Sequence, residues 1–202
     1  MSKGLRTGLI VLGVIFVILF LIYSSFRTTY NSMVGMDESV KAAWAQVENQ
    51  YQRRYDLIPN LVETVKGFAN QEQETLTAVT EARSRAGGVM QMDESLLEDP
   101  EAFARFQEAQ AGLGSALQRL LMITENYPDL KSNQNFLALQ DQLEGTENRI
   151  AVERQRFNEA ARNYNTYIRQ FPRVIIANMM GFREKAYFSS AEGASSAPQV
   201  SF

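Results

Sequence analysis

Thr7 to Phe26 are 20 consecutive residues without a charge, and Leu9 to Tyr23 among them are almost all Leu, Ile, Val and Phe. Coiled into a helix rising about 1.5 Å per residue, the stretch is about 30 Å long, the thickness of a bilayer's hydrocarbon core. Residues 7–26 are therefore predicted to form a transmembrane helix behind a short basic N-terminus, residues 1–6. Lys3 and Arg6 ahead of an apolar block also suit a cleaved signal peptide. Ile22 and Tyr23, however, stand where a cleavage site at Ser24 and Ser25 would need small residues, so a retained single-pass anchor is expected. With no Cys in the chain, lipid attachment through a thiol is excluded. The amino terminus, Lys3 and Arg6 precede the span and Arg27 alone closely follows it, which favours a cytoplasmic start with the remainder outside.

The composition of the rest removes whole classes of chemistry. There is no His and no Cys in 202 residues, hence no imidazole base, no thiolate nucleophile and few of the usual zinc or haem ligand sets. No constellation of carboxylates, Lys, Ser or Tyr stands in for them. Glu72 with Glu74, and Asp93 with Glu94, read as solvated faces and loops. No catalytic residue, cofactor, metal or small-molecule substrate is expected. Setting aside Lys3, Arg6 and Arg27, the remaining 17 basic side chains face 23 acidic ones. An acidic domain without a basic cluster is a poor match for nucleic acid and for anionic lipid headgroups. At about 175 residues it is the size of one domain.

The pattern beyond the span is helical throughout. Val40, Trp44, Val47, Tyr51, Ile58, Leu61, Val65 and Phe68 fall on one helix face. Pro59 interrupts this face and predicts a kink or a restart, with Asp56 able to cap the freed amides. The run continues through Leu76, Val79 and Ala82 to Gly87 and Gly88, which are expected to end it. An acidic loop follows to Pro100, where Asp99 caps a second helix carrying Phe103, Phe106, Leu113, Leu117, Leu120 and Ile123. A third helix repeats an apolar residue every seven positions, at Phe136, Leu143, Ile150, Phe157, Tyr164 and Phe171. Its companion seam is weak, with Thr146 and Glu153 beside Leu139 and Ala160, so it is expected to pack within a bundle rather than as a free coiled coil. Pro172 stops or kinks it. Val174 to Met180 is a short apolar segment closed by Gly181. From Ala186 the chain turns to Ser, Ala, Gly and Pro and is expected to lack regular structure. Val200 and Phe202 alternate as a strand would and form a candidate docking tail.

Ala43-Trp44-Ala45-Gln46-Val47, then Gln52-Arg53-Arg54-Tyr55-Asp56-Leu57-Ile58-Pro59-Asn60-Leu61-Val62, Val65-Lys66-Gly67-Phe68 and Ala82-Arg83 together resemble the signature of the bacterial LemA family. Tyr30-Asn31, Tyr164-Asn165, Phe171-Pro172 and the Pro198-Gln199-Val200-Ser201-Phe202 ending are similar too, so the resemblance covers essentially the whole chain. It implies an all-α fold: an N-terminal membrane helix and an antiparallel up-and-down bundle of about four helices, residues 27–185, followed by the tail, residues 186–202. The first helical region would be very long and kinked near Pro59. It further implies an envelope-associated scaffold more than an enzyme; with the span and its flanking charges, residence in the bacterial inner membrane with the bundle on the periplasmic side is expected. Relatives include one associated with building magnetosome membranes, and neighbourhood with membrane metalloproteases is a family trait.

Arg54 falls where the helical phase asks for an apolar residue. Its guanidinium must pair with a carboxylate, with Glu48, Glu63, Glu147 and Glu153 as candidates, or reach past the core to solvent. A buried pair would fix the bundle's register. Alternatively, Arg53, Arg54 and Asp56 mark a protein-docking surface beside Pro59. The reading is a non-enzymatic membrane-anchored scaffold or adaptor that holds a protein partner or copies of itself. The alternatives are a regulatory subunit of a membrane protease, or an enzyme independent of His and Cys acting on an envelope component.

Overall fold

In the computed structural model, which describes residues 3–69, 71–90 and 94–189, the apolar run and the first bundle segment form one unbroken helix. This helix, α1 (Lys3–Phe68), has 66 residues and at 1.5 Å per residue is about 100 Å long. The large apolar side chains from Leu9 to Tyr23 all lie at least half exposed, covered by no other part of the described residues. It passes through Pro59 without restarting, and Asp56 accepts instead from Gln52 Nε2 at 2.8 Å. Pro59 points to solvent while Ile58, Leu61 and Val65 stay buried, so packing on both sides of the missing N–H holds the helix together.

The helix breaks before the glycines do. Between Phe68 and Leu76 the only apolar residue in the sequence is Ala69, and with two turns of seam empty α1 ends and the chain reverses into α2 (Gln73–Met90). Gly87 and Gly88 lie inside α2 rather than ending it. Gly87 is there for room: a Cβ would stand 2.9 Å from the ring of Tyr55, on whose face the Arg83 guanidinium lies at 3.7 Å. Nor is the stretch to Pro100 all loop, because Glu94–Glu98 form a 3-10 turn that buries Leu96 and Leu97.

Asp99 caps α3 (Pro100–Thr124), its carboxylate accepting from the amides of Glu101 and Ala102. The short α4 (Pro128–Lys131) turns the chain, and Asn133 caps α5 (Gln134–Arg169). Phe136, Leu143, Ile150, Phe157 and Tyr164 are all buried along α5. The sixth member of the series, Phe171, is not: it lies past the helix end and is 81% exposed. A cis Phe171–Pro172 bond leads into α6 (Arg173–Met180), closed by Gly181 in the left-handed region at φ 77°.

The described residues form six α-helices and no strand. In the bundle α1 packs along α5 and α2 along α3. Residues 182–189 then run back along α1 as an extended strap, placing Phe182 against Tyr30, Lys185 against Asp37 and Phe188 against Trp44. Ala186 to Ser189, the start of the segment expected to lack regular structure, form neither helix nor strand but pack on the bundle, with Phe188 only 6% exposed.

Candidate functional site

The buried side chains divide into two clusters. One, towards the membrane end, joins Met33, Val40, Trp44, Val47 and Tyr51 of α1 to Phe103 and Phe106, to Ile150, Phe157, Tyr164 and Ile168, and to Phe188. The other joins Ile58, Leu61 and Val65 to the buried faces of α2, α3 and the start of α5. Between them lies a single polar layer. On α1 it is Arg54, between Tyr51 and Ile58; on α3 it is Gln110, between Phe106 and Leu113; on α5 it is Thr146 and Glu147, between Leu143 and Ile150.

Arg54 is 3% exposed. Its Nη1 donates to both carboxylate oxygens of Glu147, at 2.9 and 3.2 Å, and its Nη2 to the side-chain and backbone oxygens of Gln110. The guanidinium also lies 5.1 Å from the ring centroid of Tyr51. Of the four carboxylates the sequence offers, Glu147 is the one in contact. Arg54 Nε and Gln110 Nε2 are buried without a hydrogen-bond partner among the described residues. Both belong to side chains lining a groove of about 690 Å³ between α3 and α5, together with Tyr51, Gln107, Glu147 and Arg154; Ser189 stands at its rim. Arg53 and Asp56, by contrast, are exposed on the outside of α1. The three residues singled out together in the sequence are thus divided between interior and surface. Val200 and Phe202 lie outside the described residues.

A second buried cation was not visible in the sequence. Lys185 Nζ, on the strap, lies 2.7 Å from Glu98 Oε1 and 2.9 Å from Asp37 Oδ1. The strap's backbone is held by two asparagines of α5 spaced by seven residues. The Asn165 side chain donates to the Lys185 carbonyl and accepts from its amide, both at 2.8 Å; Asn158 does the same with Phe188, both at 2.9 Å. Each amide side chain thus serves one donor and one acceptor of an extended segment, as a neighbouring strand would.

Beside this centre, burial and then the Asp37 and Glu98 carboxylates push the Tyr164 hydroxyl's pKa well above the usual tyrosine value. The neutral phenol is therefore favoured in the folded state. Its contribution to stability is complete below the unfolded-state value of about pH 10 and is lost as pH rises towards the folded value. The expected result is that Tyr164→Phe lessens the alkaline fall in unfolding free energy above about pH 10 and leaves its slope below that unchanged, as followed by urea midpoints across that range. Among the described residues no three His, Cys, Asp or Glu side chains are grouped to hold a metal ion.

The sequence profile of the LemA family matches residues 43–202. Magnetosome protein MamQ 2 of Paramagnetospirillum magneticum is 28% identical over 203 residues, covering 93% of this chain and 74% of the relative. Magnetosome protein MamQ of Magnetospirillum gryphiswaldense matches with the same identity and coverage. Protein LemA of Metamycoplasma hominis is 22% identical over 162 residues, 80% of this chain and 69% of that protein.

Proposed function

The chain belongs to the LemA family, and we propose that it is a non-enzymatic, membrane-anchored helical scaffold or adaptor of the bacterial cell envelope. It holds a protein partner, or copies of itself, at the inner membrane, with the bundle on the periplasmic side. The observation that carries this is the continuity of α1. One helix is both the membrane-length apolar segment and the strand of the bundle on which α5, α6 and the strap assemble. A bundle built on its own anchor is held at a fixed height above the bilayer, which raises the local concentration of whatever it binds. The interior is filled by interlocking aromatic rings and the described grooves open at the surface, which suits contact with macromolecules. Curated relatives named as magnetosome proteins support a membrane-associated bacterial role.

Within this reading Arg54 is a register-fixing residue, and Arg53 and Asp56 offer a polar contact surface on α1. Val200 and Phe202 are the docking residues of the tail that departs from the groove rim at Ser189. The test is gentle solubilisation of the intact chain from native membranes, followed by crosslinking and mass spectrometry. A discrete oligomer or a reproducible neighbour is expected, and tail removal should weaken it if Phe202 is a contact. A monomer with no reproducible neighbour would overturn the scaffold; a membrane protease recovered in fixed ratio would assign the regulatory-subunit role instead.

A further inference from the structure

We propose that α6 is an interfacial helix, lying in the lipid headgroup layer beside the point where α1 leaves the bilayer. Phe171, Ile175 and Met179 face the acyl chains there, and the surrounding arginines meet anionic headgroups. The proposal rests on the reading of residues 7–26 as a retained span.

Three large apolar side chains spaced by four residues point away from the protein: Phe171 is 81% exposed, Ile175 57% and Met179 64%. The opposite side of the same segment is fixed, since Ala177 is buried and Ile176 packs against the core. The outward face is therefore held in place by the fold rather than left on a loose end. A contiguous exposed apolar patch of this kind marks an interaction surface.

What covers it follows from where it sits. Gly181 ends α6, and the next residue, Phe182, has its ring 5.8 Å from that of Tyr30 on α1. Tyr30 is four residues beyond Phe26, the last residue of the apolar run, or about 6 Å along the helix. A bilayer's polar layer extends about 5–8 Å beyond the hydrocarbon on each side. The end of α5 returns to this same level, with Arg169 beside Glu184 two residues past Phe182, which sets α6 near headgroup depth. Tyr30 and Tyr167, part exposed near it, are aromatics of the type that settle at this boundary.

Charge agrees. Residues 24–36 and 165–184, which meet at this end, hold Arg27, Arg169, Arg173 and Arg183 against a single acid, Glu184, in a chain whose net charge is −3. Arg169 lies 3.6 Å from Glu184, and Arg173 lies over the Tyr167 ring at 4.0 Å. Arg169, Arg173 and Arg183 lie within 15 residues of one another, and folding brings the part of α1 that carries Arg27 to the same end. A juxtamembrane arginine group attracts anionic lipid.

The chain has no native cysteine, so single Cys substitutions can carry an environment-sensitive fluorophore. The intact protein, labelled at Ile175→Cys, Met179→Cys, Ile15→Cys or Ser115→Cys, is reconstituted into phosphatidylcholine vesicles with and without phosphatidylglycerol, containing nitroxide-labelled lipids. Melting curves matching the parent certify each labelled fold. Labels at 175 and 179 are expected to shift to the blue and lose most of their fluorescence to shallow nitroxides, more so with phosphatidylglycerol. The label at 15 should respond to deep nitroxides, and the label at 115, exposed on α3, to neither. Unquenched labels at 175 and 179 with a quenched label at 15 would overturn the proposal and leave the anchor standing. An unquenched label at 15 would overturn the anchor itself. Disulfide pairing of Ile175→Cys between copies, without lipid quenching, would assign the face to a second copy and overturn the lipid contact. Equal quenching in both vesicles would remove the arginines' role.

Discussion

Trp44→Ala is expected to lower the unfolding free energy of the bundle by about 3–5 kcal/mol, the range for removing a large aromatic from a core that cannot collapse around the loss. Trp44 is 5% exposed, and four rings meet it: Phe106 and Phe157 at 5.4 Å, Phe103 at 5.8 Å and Phe188 at 6.0 Å. Those rings come from α3, α5 and the strap, so one side chain on α1 joins three other segments. Trp44→Phe, keeping a ring but not its reach, should cost roughly half as much. Because Trp44 is the sole tryptophan, the measurement must follow far-ultraviolet circular dichroism in urea rather than emission. Hydrogen exchange adds a local reading: protection of the Lys185 and Phe188 amides should fall more than that of α2 around Leu76, Val79 and Ala82, which are buried in the other cluster. A loss below about 1 kcal/mol would show that this cluster relaxes around the missing ring and does not organise the fold.

Most of this architecture was legible in periodicity. Val40 to Val65 and Phe136 to Tyr164 read correctly as buried seams, because a helix face repeats along the chain. The Asp99 cap and the Gly181 stop were legible because their chemistry is local. Three features were not, each because its cause lies elsewhere in the fold. Pro59 leaves α1 unbroken since the core packs on both sides of it. Gly87 looks like a stop but makes room for Tyr55, which is 32 positions earlier in the numbering. The strap has no helical or strand period to read, and it is held by Asn158 and Asn165 reaching from another helix. The same holds at the site. Arg54 was marked by its phase alone, whereas Lys185 sits in a polar stretch with no seam to betray its burial. Arg169, Arg173 and Arg183 are close in sequence, but their place beside the end of the apolar run follows only once α5 has returned beside α1.

The polar layer supplies the sharpest contrast between partners of one ion pair. Glu147→Ala is expected to destabilise the bundle by about 3 kcal/mol, the low end of the range for stranding a buried charge. It leaves the Arg54 guanidinium, which does not deprotonate, inside the core with only the neutral Gln110. The low end applies because the Glu147 side chain is 42% exposed and the groove beside it admits water to the stranded cation. Arg54→Met should cost much less, within about 1 kcal/mol of the parent: the freed Glu147 is solvated, a side chain of similar volume fills the space, and the penalty is the unmet Gln110 oxygens. Urea midpoints of the two variants test the order, and an equal loss in both would mean that Arg54 acts by packing rather than by charge. Combining Arg54→Met with Gln110→Leu and Glu147→Leu joins the two apolar clusters, which should recover or raise stability. It also removes a buried polar layer that distinguishes one helical register from its neighbour along these seams. If the combined variant is stable but shows doubled backbone amide resonances, the layer is a register device whose cost the fold accepts. If it is stable with a single set, register is fixed by packing alone.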